Sequence, residues 1–111
     1  MKYLTRQEEL ILLTVFQLKN NAYLVTIRNH LKQNTKKSWS VGAVYVPLDR
    51  LKQRGYLKTR IGEPAAKRGR NAVKYYHLTQ DGIKALAEIK KVNDLLWAGF
   101  STESISTPKN V

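Results

Sequence analysis

Residues 38–79, SWSVGAVYVPLDRLKQRGYLKTRIGEPAAKRGRNAVKYYHLT, decide the fold. Ser40 is a side chain suited to cap a helix N-terminus. After it Val41, Val44, Tyr45, Leu48 and Leu51 recur at steps of three and four, the inward stripe of an amphipathic helix. Gly55 then suits the left-handed position that closes such a helix. Over residues 56–61, Leu57, Thr59 and Ile61 alternate with Tyr56, Lys58 and Arg60, which is the period of a strand. Gly62, Glu63 and Pro64 break that strand, residues 65–71 form a basic loop, and residues 72–78 read as the returning strand. A helix that turns through glycine into a hairpin with Lys67, Arg68 and Arg70 at its tip is the sequence form of a winged helix, which makes DNA the leading partner.

On the face of that helix opposite the stripe lie Ala43, Val46 and Arg50, flanked by Gly42, Gln53 and Arg54. Two small apolar side chains at the front of a recognition helix suit thymine methyl groups in a major groove, and Arg50 suits a guanine or a phosphate. Isolated apolar residues are also common on surfaces, so Ala43 and Val46 are equally readable as incidental. Pro47 removes a backbone hydrogen bond if it lies beyond the first turn, and marks either a slight kink or a later helix start. Lys67, Arg68 and Arg70 are placed to straddle a backbone or enter a minor groove, with Gly69 allowing close approach. Lys36, Lys37, Ser40 and Tyr45 complete the expected phosphate contacts.

Upstream, Thr5 and Glu8 have the spacing of a capping box, and Asn20 and Asn21 are expected to stop the first helix. Between them Leu10, Ile11, Leu12, Leu13, Val15, Phe16 and Leu18 fall on more than one face. A domain this small does not easily cover two such faces, so Ile11 and Val15 are assigned to a homodimer interface, the alternative being a crowded core. A second helix is expected over residues 22–33, with Tyr23, Ile27 and Leu31 on one side and a polar exit through Lys32, Asn34, Lys36 and Lys37. Downstream, Thr79 caps a helix reaching about Ala98, where Gly99 ends it. Leu86, Ile89, Asn93, Leu96 and Phe100 form a short coiled-coil-like seam, in which Asn93 either fixes register as a buried amide or is solvated at the edge. Residues 101–111, with Ser, Thr and Pro108, read as a disordered tail.

The 111 residues make one domain, and 20 Lys plus Arg against 8 Asp plus Glu give a net charge of +12, which favours a polyanionic partner. Without cysteine there is no disulfide framework and no thiolate metal site, and no stretch reads as a signal peptide or membrane span, so the chain is expected to be cytoplasmic. His30 and His77 fall on different elements, no acidic pair has an acid–base spacing, and neither a phosphate loop nor a serine elbow is present. No catalytic site, metal or cofactor is expected.

Leucine-rich helix one, GAVYVPLDRLKQRGYL over residues 42–57 and RGRNAVKYYHLTQDGIKAL over residues 68–86 together resemble the PadR family of transcriptional regulators. The resemblance spans about residues 5–100 and rests on Tyr45, Leu48, Arg50, Leu51 and Gly55, then Tyr75, Tyr76, Leu78, Thr79 and Gly82 in order. It implies a mostly α protein with a small β-hairpin: a winged helix-turn-helix DNA-binding domain over residues 1–78 and a C-terminal dimerisation helix over residues 79–100. Such a homodimer would bind a pseudo-palindromic operator in double-stranded DNA and usually repress. The resemblance to short members also implies that Trp97 can face its symmetry mate and sandwich a small flat aromatic ligand; alternatively Trp97, Leu95 and Phe100 only fill the interface. Leu24 departs from a glycine found in many members, and Asn71, Ala72 and Val73 replace part of a basic run, which would weaken the wing contacts. The competing readings are an interaction module for RNA or an acidic protein and, last, peripheral membrane attachment through Lys84, Lys90, Lys91, Trp97 and Phe100.

Overall fold

In a computed structural model, which describes residues 3–62 and 72–103, the chain runs through four helices and one hairpin: α1 (Arg6–Leu18), a 3₁₀ turn (Lys19–Asn21), α2 (Leu24–Thr35), α3 (Val41–Gln53), β1 (Leu57–Gly62), β2 (Val73–Leu78) and α4 (Gln80–Trp97). Thr5 and Glu8 form the expected capping box at the start of α1: Glu8 N–H donates to Thr5 Oγ1 at 3.1 Å and Thr5 N–H donates to Glu8 Oε1 at 2.9 Å. The same Glu8 carboxylate, only 2% exposed, accepts from Arg54 Nη1 on both oxygens at 3.3 Å and from Arg50 Nε at 3.4 Å. The C-terminal turn of α3 is thereby tied to the N-terminal turn of α1. Glu9, next along, accepts from Arg6 at 3.3 Å and from the Asn93 amide of α4 at 2.9 Å.

α1 ends at Leu18, before the two asparagines, because Lys19 takes a positive φ of 55° and returns its N–H to the carbonyls of Val15 and Phe16. α2 starts later than the expected Ala22. Ala22 is fully buried and its carbonyl accepts the Tyr76 N–H at 2.8 Å, so it serves as a short third rung beside β2. Thr26 then closes the N-terminus of α2, accepting from Tyr23 N–H at 3.0 Å and donating to Asn21 O at 2.6 Å. α2 continues past Gln33 to Thr35, and Lys36 ends it at a φ of 63°.

The core joins Ile11, Leu12 and Val15 of α1 to Ile27 and Leu31, to Val44, Leu48 and Leu51, and to Leu57 and Tyr76 of the hairpin. This corrects the assignment of Ile11 and Val15 to a dimer interface: at 0% and 2% exposure they belong to the core of a single chain. The second apolar face of α1 is instead carried by Leu13 and Phe16, the latter 57% exposed. In α3 the inward stripe also shifts. Pro47 is buried and α3 continues through it from Ser40 as cap, so the later start does not occur. Val41 and Tyr45, expected inward, are exposed.

Gly55 takes the left-handed conformation at a φ of +83°, and Tyr56 N–H reaches back to Leu51 O at 3.0 Å. β1 and β2 pair antiparallel from Leu57↔Leu78 to Gly62↔Val73. Gly62 therefore ends the strand rather than breaking it; it lies under the Tyr75 ring, which a Cβ would meet at 2.5 Å. Ile61 is on the core-side face but 65% exposed, since four residues beyond Leu57 the strand has advanced about 13 Å and passed the edge of the core. Thr79 joins hairpin to α4: its hydroxyl donates to Gly55 O at 2.6 Å and accepts from Gly82 N–H at 3.1 Å. α4 runs to Trp97, with Gly99 just beyond at a φ of +81°. Asn93 of α4 donates one amide N–H to Glu9 of its own chain at 2.9 Å. The loop cations Lys67, Arg68 and Arg70 and most of the expected tail lie outside the described residues.

Burial by itself would raise the Glu8 pKa, but the Thr5 N–H and the charges of Arg54 and Arg50 outweigh it and hold the carboxyl below the ordinary glutamate value. The folded pKa is depressed, so the contribution to stability is complete above an unfolded value near 4.3 and is lost as pH falls through the lower folded value. Glu8→Gln is expected to cost about 2–4 kcal/mol at pH 7, because it removes the buried charge that pairs with Arg54 and Arg50 and weakens the cap. It should also flatten the acid side of the stability curve. Urea denaturation at pH 7 and pH 4 measures both, and a change below about 0.5 kcal/mol at pH 7 would contradict the role given to Glu8.

Candidate nucleic-acid interface

The connection between α2 and α3 is held in place from both sides. Arg28 Nε donates to Trp39 O and the Trp39 indole N–H donates to Thr35 Oγ1, each at 3.0 Å. Lys36 and Lys37 stand exposed on this connection, and Ser40 caps α3 by accepting from Ala43 N–H at 3.0 Å. A short rigid turn between two helices of a three-helix core presents the second of them outward, and here that helix is α3.

With Val44, Pro47, Leu48 and Leu51 buried, the helical period sets the outward line of α3 along Gly42, Val46, Asp49 and Gln53. The sequence reading centred this face on Ala43, Val46 and Arg50. Ala43 and Arg50 are exposed but lie to the side facing α1, where Arg50 meets Glu8. The shift follows from Pro47, whose inward position rotates the whole face. Asp49 and the Asp49–Gln53 hydrogen bond, Gln53 Nε2 donating to Asp49 Oδ2 at 2.8 Å, are features the sequence reading missed. Their spacing of four was the available signal.

The hairpin closes the other side of α3. Lys74 Nζ lies 5.8 Å from the centre of the Tyr45 ring, so Tyr45, expected at a phosphate, shares its surroundings with a hairpin cation. Tyr23, Leu24, Tyr45, Val73, Lys74 and Tyr76 line an open recess of about 390 Å³ beside them. On the opposite hairpin face Arg60 is fixed by three contacts: it stacks on Tyr75 at 4.4 Å, donates to Asn20 O at 3.4 Å and donates to His77 Nε2 at 3.1 Å. His77 accepts there and is thus neutral; its pKa is pushed below the ordinary histidine value by burial first, then by the charges of Arg60 and Lys58. His30, on α2, bonds Gln17 at 2.7 Å. The histidines are thus far apart in role, and among the described residues no group of three or more His, Cys, Asp or Glu could hold a metal.

Away from this surface, α1 and α4 leave an open apolar groove of about 550 Å³, lined by Leu13, Phe16, Ile83, Leu86, Ile89 and Trp97. Leu96 is 78% exposed at its end, and Trp97 packs edge-on to Phe100 with ring centres 5.1 Å apart. Thus Leu86, Ile89, Asn93 and Trp97 line this groove and Phe100 packs on Trp97, while Ile11 and Val15 are not among them. No helix among the described residues is long and apolar enough to cross a membrane.

A three-helix core with an outward third helix and an adjoining antiparallel hairpin defines a winged helix-turn-helix protein. The family model of PadR-like transcriptional regulators matches residues 12–88, and the chain belongs to that family. Its fold is shared with a PadR-like transcription factor from Bacteroides fragilis, at 26% identity over 89% of this chain and 85% of that one, TM-score 0.70. PadR family regulators from Clostridium difficile R20291 (23% identity, 83% and 90% covered, TM-score 0.65) and Eggerthella lenta (22%, 93% and 87%, TM-score 0.67) are also similar. No match was found among curated proteins.

Because the fold favours the neutral form of His77, its contribution to stability is present above the ordinary histidine pKa and is lost as pH falls through the lower folded value. Arg60→Ala is expected to move the His77 pKa back toward the ordinary value. Titration of the His77 ring resonance by NMR in both proteins checks this, and an unmoved midpoint would mean that the Arg60 contact contributes nothing.

Proposed function

We propose that the protein is a homodimeric repressor that binds a pseudo-palindromic operator by laying its two α3 helices in successive major grooves, about one helical turn (~34 Å) apart. The observation that carries this reading is the outward face of α3, presented by a rigid turn and bordered by cations on both sides. Lys36, Lys37, Ser40, Tyr45 and the wing cations Lys67, Arg68 and Arg70 are given the phosphates, and Gly42, Ala43 and Val46 the approach to bases. Arg50 and Arg54 share one carboxylate, so Arg50, with its side chain 53% exposed, can turn to DNA while Arg54 keeps Glu8 paired.

The dimer reading rests on the uncovered groove between α1 and α4 and on the exposed Phe16, Leu96, Trp97 and Phe100 at its rim. Apolar surface on that scale supports a protein–protein interface, and each large side chain buried there contributes roughly 1.5–3 kcal/mol. Trp97 packs this interface. A flat aromatic ligand held between the two Trp97 rings is the second reading, supported by the exposure of the indole beside open apolar space. An RNA or acidic-protein partner fits the charge equally but gives the rigidly presented α3 no task.

Phe16→Glu is expected to convert the dimer to a folded monomer in sedimentation equilibrium and to weaken duplex binding more than tenfold; a dimer unaffected by this change would move the interface elsewhere. If the dimer neutralises about 6–10 phosphates, affinity for duplex DNA should fall about a thousandfold or more between 50 and 200 mM salt, as followed by fluorescence polarisation. A shallow salt dependence would count against the whole reading.

A further inference from the structure

The outward line of a helix meant for DNA carries an acid, Asp49, half-buried on the side toward Tyr76 of the hairpin. Asp49 is one of only 8 acidic residues in a chain of net charge +12, and among the described residues it makes no ion pair. Glu8, Glu9 and Asp94 do, while Asp81 and Glu88, like Asp49, do not. A carboxylate here is held toward a phosphate-lined groove whose field repels it, so it weakens general DNA binding. Its rotamer is nonetheless fixed by the 2.8 Å hydrogen bond from Gln53 to Oδ2. Such a bond leaves Oδ1 as an acceptor and one N–H of the Gln53 amide as a donor.

In the major groove the amino donors are cytosine N4 and adenine N6. Adenine N6 is flanked by acceptors on both sides, its own N7 and the O4 of the paired thymine. Cytosine N4 has an acceptor on one side only, the O6 of the paired guanine, and that atom is itself a partner for an amide N–H. An acceptor coupled to a donor also fits an A·T pair, but a carboxylate at adenine N6 faces an acceptor on each side and at cytosine N4 only one, so its charge favours the C·G pair. We propose that Asp49 reads a cytosine by accepting from its N4 amino group, with Gln53 as the residue that positions the carboxylate and addresses the paired guanine. The inference rests on α3 being the helix that enters the groove.

Selection of bound sequences from a pool of random duplexes, run with the full-length wild type, Asp49→Asn and Gln53→Ala, tests it. The wild type should enrich a two-fold symmetric motif with cytosine at one fixed position in each half. Asp49→Asn should keep the rest of the motif and lose that cytosine preference by about 5- to 100-fold, the range of one base contact. The same variant should bind an unrelated duplex more tightly, since each subunit loses a negative charge. Gln53→Ala should blunt the preference at the same position and at no other, which a merely structural role would not do. An unchanged motif from Asp49→Asn would overturn the proposal, and so would a folded Asp49→Asn that has lost binding to every duplex, since a base reader leaves the phosphate contacts intact. Enrichment of no motif by the wild type would instead overturn the DNA-reading assignment of α3, and this inference with it.

Discussion

One buried carboxylate fixes the relation between the helix that opens the domain and the helix that presents its surface. Glu8 closes the capping box of α1 and accepts from both arginines at the end of α3, at 3.3 and 3.4 Å. Taking a carboxylate to 2% exposure costs several kcal/mol unless it is paired and hydrogen-bonded, and here the backbone of Thr5 and two guanidinium groups supply that compensation. The net gain in stability is smaller than the sum of these contacts. Their larger consequence is geometric, because a buried carboxylate held at once by Thr5 and by Arg54 allows α3 only a narrow range of tilt against α1.

The adjacent Glu9 extends the same constraint to α4 through Asn93. Two successive acids at one helix start therefore hold both elements that the proposed function uses, the outward α3 and the apolar α4. Apolar residues are divided accordingly. Ile11, Leu12 and Val15 go to the core, and Leu13 and Phe16, on the same helix, go to the groove beside α4. α1 is thus a plate between two apolar layers, one complete within the chain and one left open.

The elements of the fold were legible in the sequence wherever a local rule governed them. The Thr5 and Ser40 caps, the Gly55 turn, the two strands and the Thr79 start of α4 follow from short-range chemistry, and the structure has each within a residue or so of its expected place. What failed depended on long-range contact. Ala22 left α2 because β2 needed its carbonyl, and Ile11 and Val15 went inward because three elements converge on them. The outward face of α3 was displaced for a related reason: Pro47 was read as a slight kink or a later helix start, whereas its ring is a core side chain. Rotating the face brought Asp49 and Gln53 onto it and turned Arg50 toward Glu8, a partner 42 residues away whose acid had been read only as part of a cap.

The central claim is that this rigidly held α3 recognises a particular DNA sequence, beyond the attraction of a basic surface for any polyanion. The most direct measurement is fluorescence polarisation of the purified protein on a duplex covering the region upstream of its own coding sequence, with a scrambled duplex of equal length and composition as competitor, at near-physiological salt. Tighter binding to the native duplex, persisting as salt is raised, is the result expected of an autoregulated sequence reader. Equal binding to both duplexes, erased together by salt, would contradict that account and reduce the surface to its charge.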